Sequence, residues 1–184
     1  ILVSTSDDPY ATYTFTSNGY ADNVTLGHTC TRPNLQIVGS CNVGAEADVR
    51  FTVTNTGGNM LEPQAYTLTG GTVVNGTLQL ASGASTTVSV NVNDNPYAPY
   101  TFTSNGFADN VTINFQCSQP SLNVAATCGS PLVLTVSNAG GTLLEPEPYT
   151  VRDNFNVVVS TGTIPTTLPF VITLPAGINP YVQY

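Results

Sequence analysis

The sequence predicts an all-β protein made of two tandem units, and three observations carry that expectation. Apolar and polar residues alternate with a period of two, and no stretch shows helical spacing. Turn signals rich in Gly and Asn punctuate the alternation at short intervals. A long segment also occurs twice: DPYATYTFTSNGYADNVT at 8–25 returns as NPYAPYTFTSNGFADNVT at 95–112, 87 residues on. A period of that length is a whole small domain, not one turn of a solenoid.

The elements follow in order. Cys30 and Cys41 return at the same offset as Cys117 and Cys128, whereas NTGGNMLEP at 55–63 returns as NAGGTLLEP at 138–146, 83 residues on. Between Pro33 and Cys117 the alternation marks strands at 34–40 (Leu35 and Ile37 inward), 47–55 (Val49, Phe51, Val53), 61–69 and 72–80. Three more follow at 86–92 (Val88, Val90, Val92), 97–103 (Tyr100, Phe102) and 109–116 (Val111, Ile113, Phe115). Turns lie at Thr56-Gly57-Gly58, Gly70-Gly71, Ser82-Gly83 and Asn105-Gly106. Seven short strands in about 85 residues describe an immunoglobulin-like β-sandwich. The abundant Thr, Ser and Val suit a pleated surface.

The run from Pro33 to Val53 and Asn55-Thr56-Gly57-Gly58, with Leu80-Ala81-Ser82-Gly83-Ala84-Ser85-Thr86-Thr87-Val88, resembles the CARDB-type and related immunoglobulin-like repeats of microbial cell-surface proteins. That resemblance implies extracellular β-sandwich modules in tandem, without catalytic activity.

Both ends of the chain depart from this unit. Residues 1–31 correspond to its last strands: Ile1 and Val3 match Val88 and Val90, Tyr13 and Phe15 match Tyr100 and Phe102, and Val24 and Leu26 match Val111 and Ile113. Residues 32–117 form the complete sandwich. Residues 118–184 run through the first five strands, with Ile172 and Leu174 matching the 86–92 strand, and stop at Asn179–Tyr184, the counterpart of Asn95–Tyr100. The chain therefore reads as a spare hairpin, one complete sandwich and one sandwich lacking its last strands. The expected remedy is donation of the hairpin from another subunit, with Ile1, Val3, Tyr13, Phe15, Val24 and Leu26 as donor residues. Leu132, Leu134, Val136, Ile172 and Leu174 are the acceptor residues. A head-to-tail contact that does not close on itself makes a filament, so the expected partner is a second copy of the chain. Residues 1–13 and 172–184 encode overlapping strands, so one copy is redundant, and a window cut from a longer array would have the same ends. The alternative reading is a segment of a larger adhesin or stalk. Surface glycans and other matrix proteins are secondary candidate partners.

Composition narrows the functions further. Eleven acidic residues oppose three basic ones, and a net charge of −8 argues against capture of nucleic acid or anionic lipid. The longest aliphatic runs, Ile1-Leu2-Val3 and Val157-Val158-Val159, are far short of the roughly 20 residues a membrane helix needs, so no membrane insertion is expected. Beginning at Ile1 without Met, the chain reads as processed or partial. Each cysteine pair, Cys30–Cys41 and Cys117–Cys128, encloses ten residues and joins the end of one unit to the first strand of the next. These are the expected disulfides, each worth about 2.5–3 kcal/mol and at home in an oxidising, extracellular compartment.

No cofactor, metal or catalytic residue is expected. The single His28 takes the place of Phe115 and reads as a packing or partly exposed imidazole, not as the base of a nucleophile. Asp7-Asp8 and Glu145-Pro146-Glu147 lack the dense oxygen ligands of a calcium loop and read as solvated charge. Outward threonines such as Thr12, Thr14 and Thr16 read as uncharged solubility combined with strand propensity. The sequons at Asn23, Asn75 and Asn110 are short patterns that chance often supplies.

Overall fold

The computed structural model describes residues 7–20, 23–43, 48–90, 95–129 and 131–175. Over these residues the chain is all-β, with antiparallel strands and no helix. The strands are β1 (Tyr13–Ser17), β2 (Val24–His28), β3 (Leu35–Asn42), β4 (Asp48–Asn55), β5 (Gln64–Thr69), β6 (Val74–Leu78) and β7 (Ser85–Ser89). They continue as β8 (Tyr100–Asn105), β9 (Val111–Phe115), β10 (Leu122–Thr127), β11 (Val133–Asn138), β12 (Glu147–Arg152), β13 (Val158–Ile164) and β14 (Phe170–Thr173). The chain divides into two compact units: residues 1–40, 50–94 and 98–115 in the first, and 41–49, 95–97 and 116–184 in the second.

In the first unit a sheet of order β3-β4-β7 faces one of order β6-β5-β8-β9. Aromatic rings join them. Phe51 of β4 lies 5.8 Å from Phe102 of β8 and meets Phe115 of β9 edge-on at 6.0 Å, while Tyr66 of β5 stacks on Phe102 at 5.3 Å. Leu35, Ile37, Val53, Leu68 and Val88 are buried in this sandwich-like core. Alternation put these side chains on the inner faces, because successive residues of a strand point to opposite sides. Two predicted strands start later than expected. The 61–69 strand begins at Gln64 and the 97–103 strand at Tyr100, each just after a proline (Pro63, Pro99) that has no N–H to give a ladder.

The recurring Asn-x-Gly-Gly segments follow β4 and β11. Asn55 is fully buried: its Nδ2 donates to Gly58 O (2.7 Å) and Leu80 O (3.1 Å), and its Oδ1 accepts the Gly57 N–H (3.1 Å) and the Asn34 N–H (3.2 Å). Asn138 repeats the pattern with Gly141 O (2.6 Å), Gly140 N–H (3.0 Å) and Ser121 N–H (2.9 Å). Glycine is required by close approach. A Cβ at Gly58 would lie 2.1 Å from Thr31 O and one at Gly141 2.0 Å from Ser118 O.

In the second unit β10-β11-β14 form one sheet and β12-β13 another. Leu132, Val136, Leu143, Ile164, Ile172 and Leu174 make its buried core. The registers repeat those of the first unit: Leu134 opposes Ile172 as Phe51 opposes Val88, and Tyr149 opposes Gly162 as Tyr66 opposes Gly76. One pairing differs. In the first unit β5 is paired on both edges, by β6 and β8, whereas among the described residues β12 is paired by β13 alone.

The cysteines pair differently from the expectation. Instead of Cys30–Cys41 and Cys117–Cys128, the structure joins Cys41 to Cys117 (Cα–Cα 5.9 Å), and Cys30 and Cys128 are free thiols. The cause is the path of β3 along β9. The Leu35 N–H bonds Asp109 Oδ2 (2.9 Å), and Gly39 faces the Phe115 ring so closely that a Cβ there would fall 2.2 Å from it. The two segments thus run side by side in the same direction, and two residues beyond that glycine and that ring come Cys41 and Cys117. Sequence proximity favoured the local pairs; the fold brings together residues 76 apart.

Candidate assembly site

The hairpin β1–β2 is a copy of β8–β9 in register as well as in sequence. Tyr13 opposes His28 and Phe15 opposes Leu26, just as Tyr100 opposes Phe115 and Phe102 opposes Ile113. Its turn is also repeated: the Gly19 N–H bonds Asn23 Oδ1 (3.0 Å) as the Gly106 N–H bonds Asn110 Oδ1 (2.9 Å). Burial sets the two hairpins apart. Phe102 is fully buried, whereas Phe15 is 47% exposed and Leu26 63% exposed, and β1 and β2 pair only with each other among the described strands. Of the predicted donor residues, Tyr13 is half-buried, Phe15, Val24 and Leu26 are exposed, and Ile1 and Val3 lie outside the described residues.

The second unit carries an open cleft. A cleft of about 440 Å³ is lined by Val124, Ala126, Leu134, Tyr149, Val151 and Ile172, among others. Leu134 and Tyr149 occupy the places of Phe51 and Tyr66, the two residues whose rings lie against Phe102 in the first unit. Strand β10 is open as well: Leu122 is 37% and Val124 63% exposed, against 4% and 7% for their counterparts Leu35 and Ile37. Of the predicted acceptor residues, Leu134, Val136 and Ile172 line the cleft, Val136 and Ile172 from within the buried core; Leu132 and Leu174 are buried in that core and do not line the cleft. Val124, Ala126, Tyr149, Val151 and Ile164 also line it and were missed. Projecting the surroundings of Phe102 through the repeat would have found Tyr149.

The segment leading into β1 is anchored. The Tyr10 hydroxyl donates to Asn59 O (3.1 Å) and accepts the Leu61 N–H (2.9 Å), and Tyr97 repeats the pair with Thr142 O (3.2 Å) and the Leu144 N–H (2.9 Å). The recurring Pro-Tyr is thus a docking hydroxyl. The Arg32 guanidinium lies over the Tyr10 ring at 5.5 Å, donates to Phe107 O (2.8 Å) and pairs with Asp8. The Tyr10 N–H, bonded to Asp8 Oδ1 at 2.9 Å, does most to hold the Asp8 carboxyl below the ordinary aspartate range; desolvation opposes it, and Arg32 adds to the lowering.

His28 is exposed, with Nε2 3.9 Å from Cys30 Sγ. Among the described residues no three His, Cys, Asp or Glu side chains gather as metal ligands would, and no helix is long and apolar enough to cross a membrane. The Cys41–Cys117 disulfide fits an extracellular protein. No protein-family model, curated protein or solved structure matches the chain.

Proposed function

We propose that this chain is a non-enzymatic structural subunit of an extracellular filament for attachment or matrix, joined head to tail by strand donation between immunoglobulin-like sandwiches. Hairpin β1–β2 of one copy enters the cleft of the second unit of the next and takes the place that β8–β9 hold in the first unit. The carrying observation is complementarity: a hairpin that exposes Phe15, Val24 and Leu26, and a cleft lined largely by apolar side chains with Thr150 and Arg152 at it, each in register with one half of a sandwich-like unit of the same chain. The β5–β8 ladder supplies the expected register, in which Leu68 opposes Phe102 and Tyr66 opposes Ser104. By that rule Phe15 comes opposite Val151 and Ser17 opposite Tyr149. Burying the exposed parts of Phe15, Val24 and Leu26 contributes at most about 1.5–3 kcal/mol each toward the entropic cost of association. The contact uses different surfaces on its two sides, so it builds a filament where the rotation between successive copies does not close a ring.

Deletion of residues 1–30 is expected to leave unpolymerised protein under the electron microscope, while the full chain forms filaments. Filaments of normal length from the deletion variant overturn the donor role. A native polypeptide much heavier than 19.2 kDa after denaturation and reduction replaces the filament with a tandem stalk.

A further inference from the structure

Two thiols, Cys30 and Cys128, are left free in the described chain, and each matches one half of the disulfide that does form. Cys30 lies two residues beyond the end of β2, as Cys117 lies two beyond the end of β9. Cys128 is one residue past β10, in the place that Cys41 holds toward the end of β3, and both correspondences have the 87-residue offset of the repeat. We infer that Cys30 of one copy and Cys128 of the next form an interchain disulfide that locks each junction covalently. The inference rests on the strand-donation reading and adds a bond to it. With β2 beside β10 as β9 lies beside β3, Cys30 meets Cys128 in the arrangement that brings Cys41 and Cys117 to a Cα–Cα distance of 5.9 Å. The exposure of the two thiols suits the order of events. Cys128 is exposed and Cys30 half-buried, so both can react until the hairpin docks.

The chemistry balances with an external disulfide of the oxidising medium as oxidant. The Cys128 thiolate attacks one sulfur of that disulfide, forms a mixed disulfide and releases one thiol. The Cys30 thiolate of the docked hairpin then attacks the Cys128 sulfur, forming the Cys30–Cys128 bond and releasing the second thiol. Two protein thiols lose two electrons and two protons, and the small disulfide gains them. The strands choose the partner, and the bond removes the reverse step.

The test assembles full-length chain with oxidised glutathione, blocks residual thiols by alkylation, and runs denaturing electrophoresis with and without reductant. The expected result is a ladder at multiples of 19.2 kDa that collapses to the single chain on reduction, with a Cys30–Cys128 linked peptide by mass spectrometry. Cys30→Ser and Cys128→Ser are each expected to abolish the ladder yet retain filaments under the electron microscope. Filaments whose Cys30 and Cys128 alkylate as free thiols overturn the cross-link and leave strand donation standing. A monomer that never assembles, with these thiols free or bonded within one chain, overturns both.

Discussion

Phe15 and Phe102 occupy the same register position in two copies of one hairpin, so truncating each to alanine separates folding from assembly. Phe102 is fully buried against Phe51 at 5.8 Å and Tyr66 at 5.3 Å. Phe102→Ala therefore leaves a cavity in the first unit and costs about 3–5 kcal/mol of its folding stability. Phe15 is 47% exposed, so Phe15→Ala costs the isolated chain little, within roughly 0.5 kcal/mol as for other surface changes. Under strand donation Phe15 would lie against Leu134 and Tyr149, and its loss would carry the buried-ring penalty of about 3–5 kcal/mol at every junction. At about 1.4 kcal/mol per decade, that weakens association roughly 100- to 3,000-fold. Urea unfolding of the unassembled chain reads the first quantity, and the concentration at which filaments appear by light scattering reads the second. Phe15→Ala with an unchanged critical concentration refutes the reasoning, as does Phe15→Ala that destabilises the monomer as much as Phe102→Ala does.

Three further predictions concern the frame of the site. Asn55→Ala removes the acceptor of the Gly57 and Asn34 N–H groups and the donor to Gly58 O, at about 1–3 kcal/mol for each group left unsatisfied, and should lower the urea midpoint far more than Thr56→Ala. Reducing Cys41–Cys117 reopens a loop of 76 residues and should cost roughly 4–4.5 kcal/mol, read as the difference in urea unfolding between the oxidised protein and a Cys41→Ser/Cys117→Ser variant. Asp8 has a depressed carboxyl pKa in the folded chain, so its contribution is present above the ordinary aspartate value of about 3.9 and is lost as pH falls through the lower, folded value. Melting temperature should show an acid-side step in the wild type that Asp8→Asn removes; a step that persists in the variant belongs to another group.

Much of the fold was legible because the chain states it nearly twice. Period-two alternation located Leu35, Phe51, Val53, Val88 and Phe102 on inner faces, and all are buried. The correspondence of β1–β2 with β8–β9 also followed from identity alone. What the sequence could not show was adjacency across sheets. The cysteine pairing depends on β3 running beside β9, and the only local trace of that is Gly39, a glycine inside a strand where Phe115 leaves no room for a side chain. The cleft was half legible for the same reason. Leu134, Val136 and Ile172 sit on a strand pair whose alternation marked them, but Tyr149 and Ile164 come from the facing sheet.

An open strand edge beside an apolar cleft invites indiscriminate pairing, and strand β12 is built to resist it. Its first two residues are Glu147 and Pro148 and its last is Arg152, all exposed; charge and proline at an unpaired edge discourage strand addition. The equivalent position in the first unit is the buried Gln64, whose Oε1 accepts the Ala108 N–H (3.0 Å) and the Asp109 N–H (3.2 Å) and whose Nε2 donates to Ser104 Oγ (2.8 Å). A carboxylate at Glu147 keeps the acceptor of that amide, gives up its donor to Ser104 Oγ and Asp109 O, and adds a charge that a foreign strand would have to bury unpaired, at a cost of several kcal/mol. Under strand donation the hairpin's Ser17, the counterpart of Ser104, would lower this cost by offering its hydroxyl to that carboxylate. Glu147 would thus favour, under strand donation, a hairpin that brings a hydroxyl donor over an arbitrary strand that brings none.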